Sequence, residues 1–338
     1  MRAAVFEKIG VLNIKEVPKP TIQKADDVII QVKLCSICGT DVHILSDPPG
    51  YIATPNTILG HELVGTVAEI GEAVTTVKVG DVVVCNPNDY CGTCVYCKNN
   101  QPNFCENIQA MGIDVDGGFA EFVRTSEKVV FKISEDVAPE VAAFAEPLAC
   151  LLNGTGKIRV QPGESVTVIG AGTIGLMFVQ MMKATGAYPI IVSEPSELRR
   201  KFAIESGADF VVNPLEQDLQ AFVKEKTGVG SSYTIDVVGN QLEACIDCTK
   251  RGGTVLLFGV NAQAISNVAQ SKITQNEIRV QGTWLANATF PKAVEVLESG
   301  VLNLSKLVTH TLPLSEVEKG IDLLRRGEGV EILIDPTT

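Results

Sequence analysis

Excess positive charge and long apolar runs are both missing from this chain, and each absence excludes a class of protein. Its 338 residues include 28 lysines and arginines against 40 aspartates and glutamates, a net charge of −12. That balance leaves no electrostatic footprint for nucleic acid or an anionic membrane. The first residues, MRAAVFEKIG, lack the apolar run of a signal peptide, and no stretch reaches the roughly 18 apolar residues of a membrane span. We therefore expect a cytoplasmic protein whose partners include neither nucleic acid nor membrane.

Histidine is also scarce, with three residues, whereas cysteine is frequent, with ten. Disulfides are rare in a reducing compartment, so this many cysteines needs another explanation. Four of them crowd into one loop segment, and His43 and His61 follow Cys38 in the same β-rich region. Because cysteine and histidine are zinc ligands, this distribution is a first indication of metal binding.

The order of predicted elements divides the chain into two domains, which its length accommodates. Residues 1–149 contain short β-branched runs separated by Gly, Pro and Asp, which predicts an irregular antiparallel barrel with loops on a rigid frame. Residues 150–286 alternate apolar strands with segments of helical length, which is typical of a doubly wound α/β domain with a parallel sheet. We assign the tail, residues 287–338, back to the first domain.

A glycine-rich segment follows the first strand of the second domain and opens the next helix. Its sequence, GAGTIG, is a G-x-G-x-x-G pattern in the context that dinucleotide binding requires. The glycines permit a tight turn, a close approach to the pyrophosphate and close packing of helix on strand, while the pyrophosphate lies at the helix N-terminus. The residues expected to bind the dinucleotide here are Gly170, Gly172, Thr173, Ile174 and Gly175.

The cofactor's ribose should meet an acidic residue about 20 positions later. Glu194 ends the second strand at that place, and its carboxylate would accept hydrogen bonds from both ribose hydroxyls, which favours NAD. Arg199 and Arg200 follow, and either could instead attract the 2′-phosphate of NADP. We expect NAD, with Arg199 also in the cofactor site.

Four cysteines lie close together in a C-x2-C-x2-C-x7-C pattern. Four thiolates at this spacing can close a tetrahedral zinc site with no open position, which would order a loop that lacks a core of its own. An iron–sulfur cluster and two disulfides are the rivals, but the bacterial cluster pattern continues with x3-C-P. We therefore predict a structural zinc held by Cys91, Cys94, Cys97 and Cys105.

A second set of metal-binding residue types lies upstream of this loop. A catalytic zinc takes about three protein ligands and keeps one position open for water or substrate. Cys38 and His61 fit two of the ligand positions. The third ligand could be Glu62, which follows the histidine, or Glu146, which lies at the domain junction. If Glu62 is the ligand, Glu146 is free to contact a water or a substrate hydroxyl at the open position.

Oxidation of an alcohol at such a site releases a proton that must reach solvent. The Thr40 hydroxyl followed by His43 would provide a path, with His43 acting as a general base. Asp41 is a plausible hydrogen-bond partner for a histidine ligand, because such ligands are commonly oriented by carboxylates.

These motifs together resemble a known family. ICGTDVH, GHE, the four-cysteine loop, EPL, GAGTIG and the GAD after LRRKFAIES occur in the order and near the spacing of the zinc-containing medium-chain dehydrogenase/reductase superfamily. The resemblance covers essentially the whole chain. It implies a GroES-like β-barrel catalytic domain, a Rossmann domain, two zinc ions per chain, NAD as the cofactor, and a homo-oligomer, either a tetramer or a dimer.

The EPL segment is similar to the sorbitol and polyol dehydrogenase branch more than to the ethanol dehydrogenases. The resemblance therefore implies a small secondary alcohol, such as a polyol, sugar alcohol or sugar acid, as substrate. Ile44, Leu285 and Ala286 stand where that branch commonly has an aromatic residue, an arginine and a tyrosine, so L-threonine or a short diol is an alternative. A zinc-free reductase would lack the metal-binding residues, and an NAD-sensing module without catalysis would need neither an open zinc position nor a proton path.

Overall fold

The computed structural model describes all residues, 1–338, in two compact units. The first unit comprises Met1–Cys150, Leu285–Gly300 and Leu304–Thr338, and the second comprises Leu151–Trp284 and Val301–Asn303. The tail, expected wholly in the first unit, thus leaves three residues with the second. There Asn303 exchanges two hydrogen bonds with the Gln180 side chain, at 2.7 and 3.2 Å.

Ten strands and four helices form the part of the chain before residue 156. The strands are β1 (Arg2–Lys8), β2 (Val11–Glu16), β3 (Asp27–Ser36), β4 (Thr57–Ile58), β5 (Glu62–Ile70), β6 (Val82–Cys85), β7 (Asn88–Asp89), β8 (Gln109–Ala110), β9 (Phe122–Ser126) and β10 (Val130–Lys132). The helices are α1 (Gly39–Ile44), α2 (Val95–Lys98), α3 (Pro139–Ala142) and α4 (Ala145–Thr155).

Strands and helices alternate in the rest of the chain. Up to residue 282 they are β11 (Val166–Ile169), α5 (Thr173–Ala184), β12 (Ile190–Ser193), α6 (Glu197–Glu205), β13 (Phe210–Val212), α7 (Leu219–Thr227), β14 (Ser231–Asp236), α8 (Leu242–Cys248), β15 (Thr249–Leu257), α9 (Gln270–Asn276) and β16 (Arg279–Gly282). The tail adds α10 (Phe290–Ser299), β17 (Val308–Pro313), α11 (Val317–Arg325) and β18 (Glu331–Asp335). None of the helices combines the length and apolar character that a bilayer crossing requires.

The first unit is built on a seven-stranded sheet with β3 at its centre. The strand order is β10-β6-β5-β3-β18-β17, and β9 also pairs with β3. The β-branched residues of β3 are buried, since the strand packs against neighbours on both edges and against the core around Phe119. β18 pairs antiparallel with β3, so the end of the chain is an integral strand of this sheet. The barrel scaffold expected from the sequence is confirmed.

The second unit contains a six-stranded sheet in the order β13-β12-β11-β14-β15-β16, with every pair parallel. This is the doubly wound order, in which ligands bind where the strand order reverses, beyond the carboxyl ends of the strands. All four residues of β11, Val-Thr-Val-Ile, are buried, as its mainly apolar, β-branched sequence predicts for a parallel strand covered on both faces. The expected doubly wound α/β domain is confirmed.

Candidate active site and metal centres

Helix α1 begins one residue after the first expected metal ligand, Cys38. Cys38 is the residue before the helix, and its backbone N–H donates a hydrogen bond of 3.0 Å to Asp41 Oδ2. An aspartate at this place satisfies a backbone donor that the helix itself leaves free. The thiol Sγ lies 3.6 Å from Thr40 Oγ1. The start of α1 therefore fixes the position of the Cys38 sulfur.

His61 and Glu62 reach the same place from the start of β5. The turn before them needs glycine at position 60, where φ is +89° and a Cβ atom would lie 2.7 Å from Phe119 Cδ1 and 2.9 Å from Cys35 Sγ. The side chains of His61 and Glu62 are both buried. One ligand atom from each of Cys38, His61 and Glu62 lies within 4.8 Å of the others. The three residues are thus brought together as a candidate metal site.

The surroundings of this cluster fit a divalent cation. His61 Nδ1 lies 3.8 Å from Asp41 Oδ1, and both atoms are buried without a hydrogen-bond partner. Burial, reinforced by the neighbouring carboxylates, raises the pKa of the Cys38 thiol well above its usual value, and burial likewise raises the pKa of Glu62. A metal ion offsets such costs, because it favours the thiolate and carboxylate forms that bind it. Three ligands leave a position open, as a catalytic zinc requires.

Glu146 lies in the first turn of α4 and is buried, but it is not a member of the three-residue cluster. The Cys150 thiol, one helical turn later, donates a hydrogen bond of 3.3 Å to Glu146 Oε1. Burial raises the pKa of Glu146, and the charge of His61 opposes that shift. Glu146, the alternative third ligand, is therefore close enough to His61 for electrostatic interaction, but its carboxylate accepts a hydrogen bond from a thiol.

Thr40 and His43, the expected proton path, lie one helical turn apart on α1. Residues three apart on a helix share a face. Thr40 contacts the Cys38 sulfur, whereas the His43 ring packs on Gly50, where a Cβ atom would come within 3.0 Å of Nδ1. Their side chains are not hydrogen-bonded directly to each other. Thr40 is thus placed at the metal cluster, and the partly exposed His43 is placed towards the surface.

The four-cysteine loop folds around its sulfur atoms. One Sγ from each of the four cysteines lies within 4.8 Å of the others, and Cys91 Sγ and Cys105 Sγ are 3.5 Å apart, far beyond a disulfide length. The Cys91 sulfur accepts the N–H groups of Thr93 and Cys94, each at 3.4 Å. Hydrogen bonding, chiefly from Thr93, lowers the Cys91 pKa to about 5. The sulfur is thus prepared as a thiolate, which is the form that binds zinc.

The glycine-rich turn between β11 and α5 has the conformation that a dinucleotide site needs. Gly170 has φ of +103°, and a Cβ atom there would lie within 2.9 Å of the Val237 and Val238 side chains. At Gly175 a Cβ atom would collide with the Gly170 carbonyl oxygen, at 2.1 Å. Gly172, just before Thr173 and Ile174 in the first turn of α5, has open space over its Cα. The first and last glycines are required by packing, and the middle one leaves an approach to the helix N-terminus.

Glu194 follows β12 beside this turn. Its Oε2 accepts the Ala171 N–H and its Oε1 accepts the Ser196 N–H, both at 2.8 Å. The carboxylate thus ties the glycine-rich turn to the next loop, a structural role that the sequence did not indicate. Each oxygen keeps a lone pair for a further donor.

The two arginines after Glu194 differ in their contacts. Arg200 Nη1 donates to the backbone oxygens of Glu194 and Pro195, at 2.9 and 2.6 Å. Arg199 is half-buried, and this burial lowers its pKa, while the charge of Glu194 opposes the shift. Both arginines therefore lie at the ribose end of the expected site.

Comparison with known proteins gives consistent matches along the chain. The family model of the alcohol dehydrogenase GroES-like domain matches residues 24–135, and that of zinc-binding dehydrogenases matches residues 173–299. D-arabinitol dehydrogenase 1 of Uromyces fabae is 33% identical and covers 99% of this chain and 97% of its own. L-threonine 3-dehydrogenase of Caldanaerobacter subterraneus subsp. tengcongensis is 35% identical over 95% of this chain and 94% of its own. A solved structure described as a zinc-binding dehydrogenase from Sinorhizobium meliloti 1021 bound to NADP has a TM-score of 0.92, with 31% identity and 99% of each chain covered.

The chain belongs to the zinc-containing medium-chain dehydrogenase/reductase superfamily. The resemblance inferred from the motifs is confirmed, as are the GroES-like and Rossmann folds. This dehydrogenase is an oxidoreductase of a family that uses zinc and a nicotinamide cofactor.

One acidic residue of the dehydrogenase's site was missed by sequence reasoning. Glu331, at the start of β18, is buried, and its charge adds to the effect of burial in raising the pKa of Glu62. The Ser36 hydroxyl donates a hydrogen bond of 2.6 Å to Glu331 Oε1 across 295 residues of sequence. Nothing in the segment EILID indicated this position, because the pairing of β18 with β3 is set only in the folded sheet.

Proposed function

We propose that this dehydrogenase oxidises a small secondary alcohol by transferring a hydride to NAD, with a catalytic and a structural zinc in each chain. The observation that supports it most directly is the cluster of Cys38, His61 and Glu62. A soft thiolate, an imidazole and a carboxylate are a ligand set that suits zinc. The alternative of an NAD-binding sensor without catalysis is less well supported, because it has no use for a three-ligand site.

In this proposal Cys38, His61 and Glu62 hold the catalytic zinc. When bound there, zinc would supply Lewis-acid stabilisation for negative charge on the substrate oxygen. Asp41 orients the His61 ring, which is supported by the 3.8 Å separation of the two otherwise unpartnered atoms. Glu146 is assigned to a water or a substrate hydroxyl, since its Oε1 is hydrogen-bonded to Cys150.

The proton of the substrate hydroxyl leaves, in this proposal, through Thr40 and His43. Thr40 Oγ1 lies beside the Cys38 sulfur, where it can accept a proton and pass one on. His43 is partly exposed and can exchange that proton with solvent. The two side chains are not directly hydrogen-bonded, so in this proposal a bridging water would carry the proton from Thr40 Oγ1 to the His43 ring.

The second zinc is assigned to Cys91, Cys94, Cys97 and Cys105, whose four sulfur atoms leave no open position. Elemental analysis of the purified protein tests both assignments: two zinc ions per chain are expected. If the wild-type protein held one zinc per chain and Cys38→Ser held the same amount, the assignment of a catalytic zinc would be wrong.

NAD is proposed over NADP because of the contacts around Glu194. A 2′-phosphate beside this carboxylate would meet like charge, and Arg200 is already engaged by two backbone oxygens. Against this stands the Sinorhizobium meliloti structure, which holds NADP. Initial rates with each cofactor at matched concentrations decide the matter, and equal or faster turnover with NADP would contradict the proposal.

The substrate class we propose is a polyol or sugar alcohol, which the D-arabinitol dehydrogenase relative supports. L-threonine is the second candidate, since the threonine dehydrogenase relative is slightly more identical. A panel of sugar alcohols, sugar acids, short diols and L-threonine, followed by the absorbance of the reduced cofactor, tests the proposal. The highest kcat/KM on L-threonine would favour the second candidate, and no turnover of any member would favour the sensor.

A homo-oligomer is part of the proposal. β16 is the last strand of the six-stranded sheet, and its residues are exposed or half-buried. An exposed edge strand can pair with a second chain. Light scattering coupled to size-exclusion chromatography measures the state directly, and a monomer at working concentrations would contradict it.

A further inference from the structure

A second buried carboxylate, that of Glu331, lies in the same sheet as the proposed zinc ligand Glu62, two strands away. The sheet register places the ends of three strands side by side: Ser36 of β3 faces Glu62 of β5 on one edge and Leu333 of β18 on the other. Directly opposed residues of antiparallel strands project from the same face of the sheet, with Cβ atoms about 4.5–5.5 Å apart. Glu331 lies two residues before Leu333 and shares its face, since side chains alternate along a strand.

The Ser36 hydroxyl links the two acidic residues. It donates a hydrogen bond of 2.6 Å to Glu331 Oε1. The Glu331 carboxylate is thus held at β3, the strand that pairs with the strand of Glu62. A serine hydroxyl has a single hydrogen to donate. The Ser36 hydroxyl, which lies opposite Glu62 in the sheet, is therefore already engaged and is not a donor for Glu62.

We infer that Glu331 is a positioning residue for the metal site, which keeps the Glu62 carboxylate directed towards Cys38 and His61. This inference rests on the proposed function, since it concerns how the zinc site is selected. In this inference Glu331 acts in two ways: it accepts the hydrogen bond of the Ser36 hydroxyl, and in its ionised form it repels a Glu62 carboxylate that turns back along the sheet.

The consequence is a choice between two acids. Glu62 is kept among the ligands, whereas Glu146 has a hydrogen bond from Cys150 and stays outside the three-residue cluster. Replacing Glu331 with glutamine removes the charge and supplies an amide N–H that can donate to Glu62. The Glu62 carboxylate could then turn away from Cys38 and His61 to accept this hydrogen bond, and zinc binding at the site would depend on Glu146.

A double-mutant cycle in zinc affinity tests this dependence. The catalytic-site affinity is measured by chelator competition in wild type, Glu331→Gln, Glu146→Gln and the double variant. We expect Glu146→Gln alone to bind zinc almost as wild type does. In the Glu331→Gln background the same change should cost about 10–100-fold, the size typical of lost support for a metal ligand. Non-additivity of this kind reports coupling between the two positions. A purely structural role of Glu331 would in addition lower the affinity of the structural zinc or the melting temperature, which should not change.

Asp335→Asn is the matched control, because it removes one negative charge from the same strand and its carboxylate accepts hydrogen bonds only from the neighbouring Thr337. It should combine additively with Glu146→Gln. The structural zinc is an internal control, and its affinity should not change in any variant. If Glu331→Gln does not fold, Glu331→Met takes its place, since an apolar side chain of similar volume needs no buried partner.

Two results would overturn the inference. One is additivity of Glu331→Gln and Glu146→Gln within about twofold, the usual limit for independent sites. The other is loss of catalytic zinc from Glu146→Gln alone, which would make Glu146 a ligand already in wild type. Failure of the proposed function gives a different result, in which Cys38→Ser binds as much zinc as wild type.

Discussion

Replacing Asp41 with asparagine changes one buried charge and almost nothing of the shape around it. Asp41 has no exposed surface, its Oδ2 accepts the Cys38 N–H at 3.0 Å, and its Oδ1 faces His61 Nδ1 at 3.8 Å. Asparagine retains one carbonyl oxygen, which can still accept the Cys38 N–H. The start of α1 should therefore survive, whereas alanine would lose this hydrogen bond, whose net contribution is typically about 0.5–1.5 kcal/mol. What asparagine removes is the negative charge that we propose orients the His61 ring.

The expected loss falls on the metal and not on the fold. Removing the carboxylate partner of a histidine ligand typically costs 10–100-fold in metal affinity, which corresponds to about 1.4–2.8 kcal/mol. Burial raises the pKa of Asp41, so the ionised carboxylate is unfavourable in the metal-free protein. The Asp41→Asn variant has no charge to bury at this position, and its metal-free form should melt at the wild-type temperature or above it. Zinc affinity and metal-free stability are thus expected to change in opposite directions.

The assay is chelator competition for zinc at the proposed catalytic site, together with thermal melting of the metal-stripped protein. The four-cysteine site is the internal control, because Asp41 does not contact it. A catalytic-site affinity within twofold of wild type would refute the role assigned to Asp41. A lower melting temperature of the metal-free variant would show instead that Asp41 supports the fold.

Four further outcomes are expected. His43→Ala should slow alcohol oxidation at neutral pH by roughly 10²-fold, the low end for a general base, and higher pH should restore part of the rate; equal rates across pH would refute the proton path. Cys94→Ser should release one zinc and lower the melting temperature, because a closed metal site contributes folding free energy; full metal content with unchanged melting would contradict this. Glu194→Gln should raise the NADP-to-NAD ratio of kcat/KM, whereas Glu197→Gln, at an exposed side chain three residues later, should leave it unchanged. Burial raises the pKa of Glu62 above its ordinary 4.5, so the folded metal-free protein holds a proton that the unfolded chain releases. The free energy of unfolding of the metal-free wild type should therefore fall, relative to that of Glu62→Gln, as pH rises from about 5 to 8. Urea titrations measure this difference.

Local spacing explains why much of the site could be predicted from the sequence. The ligands of the four-cysteine loop lie within 15 consecutive positions, and the glycine-rich turn is a contiguous segment between a strand and a helix. Short loops close at little entropic cost, so residues at these spacings come together in almost any fold that holds the segment. The alternation of strands and helices likewise predicted the parallel sheet, because periodicity reports which faces are buried.

The choice between Glu62 and Glu146 shows where such reasoning ends. Both carboxylates suit zinc, and both follow plausible motifs. Only in the folded structure is Glu62 within 4.8 Å of Cys38 and His61, while Cys150 donates to Glu146. The second contact is local, one turn along α4, but the first depends on how β5 is placed against the loop before α1.

By itself the sequence determined the residue types at both metal clusters, the dinucleotide turn and the two kinds of sheet, because each depends on spacing and periodicity along the chain. The tertiary structure decided which of two acids joins the cluster, that Glu194 also braces the turn through Ala171, and that Glu331 stands behind Glu62. Strand register brings Glu331 to Ser36 across 295 residues, and no pattern along the chain encodes that pairing. Buried charges act through space on whatever the packing sets beside them, so their effects are known only once the sheet is assembled.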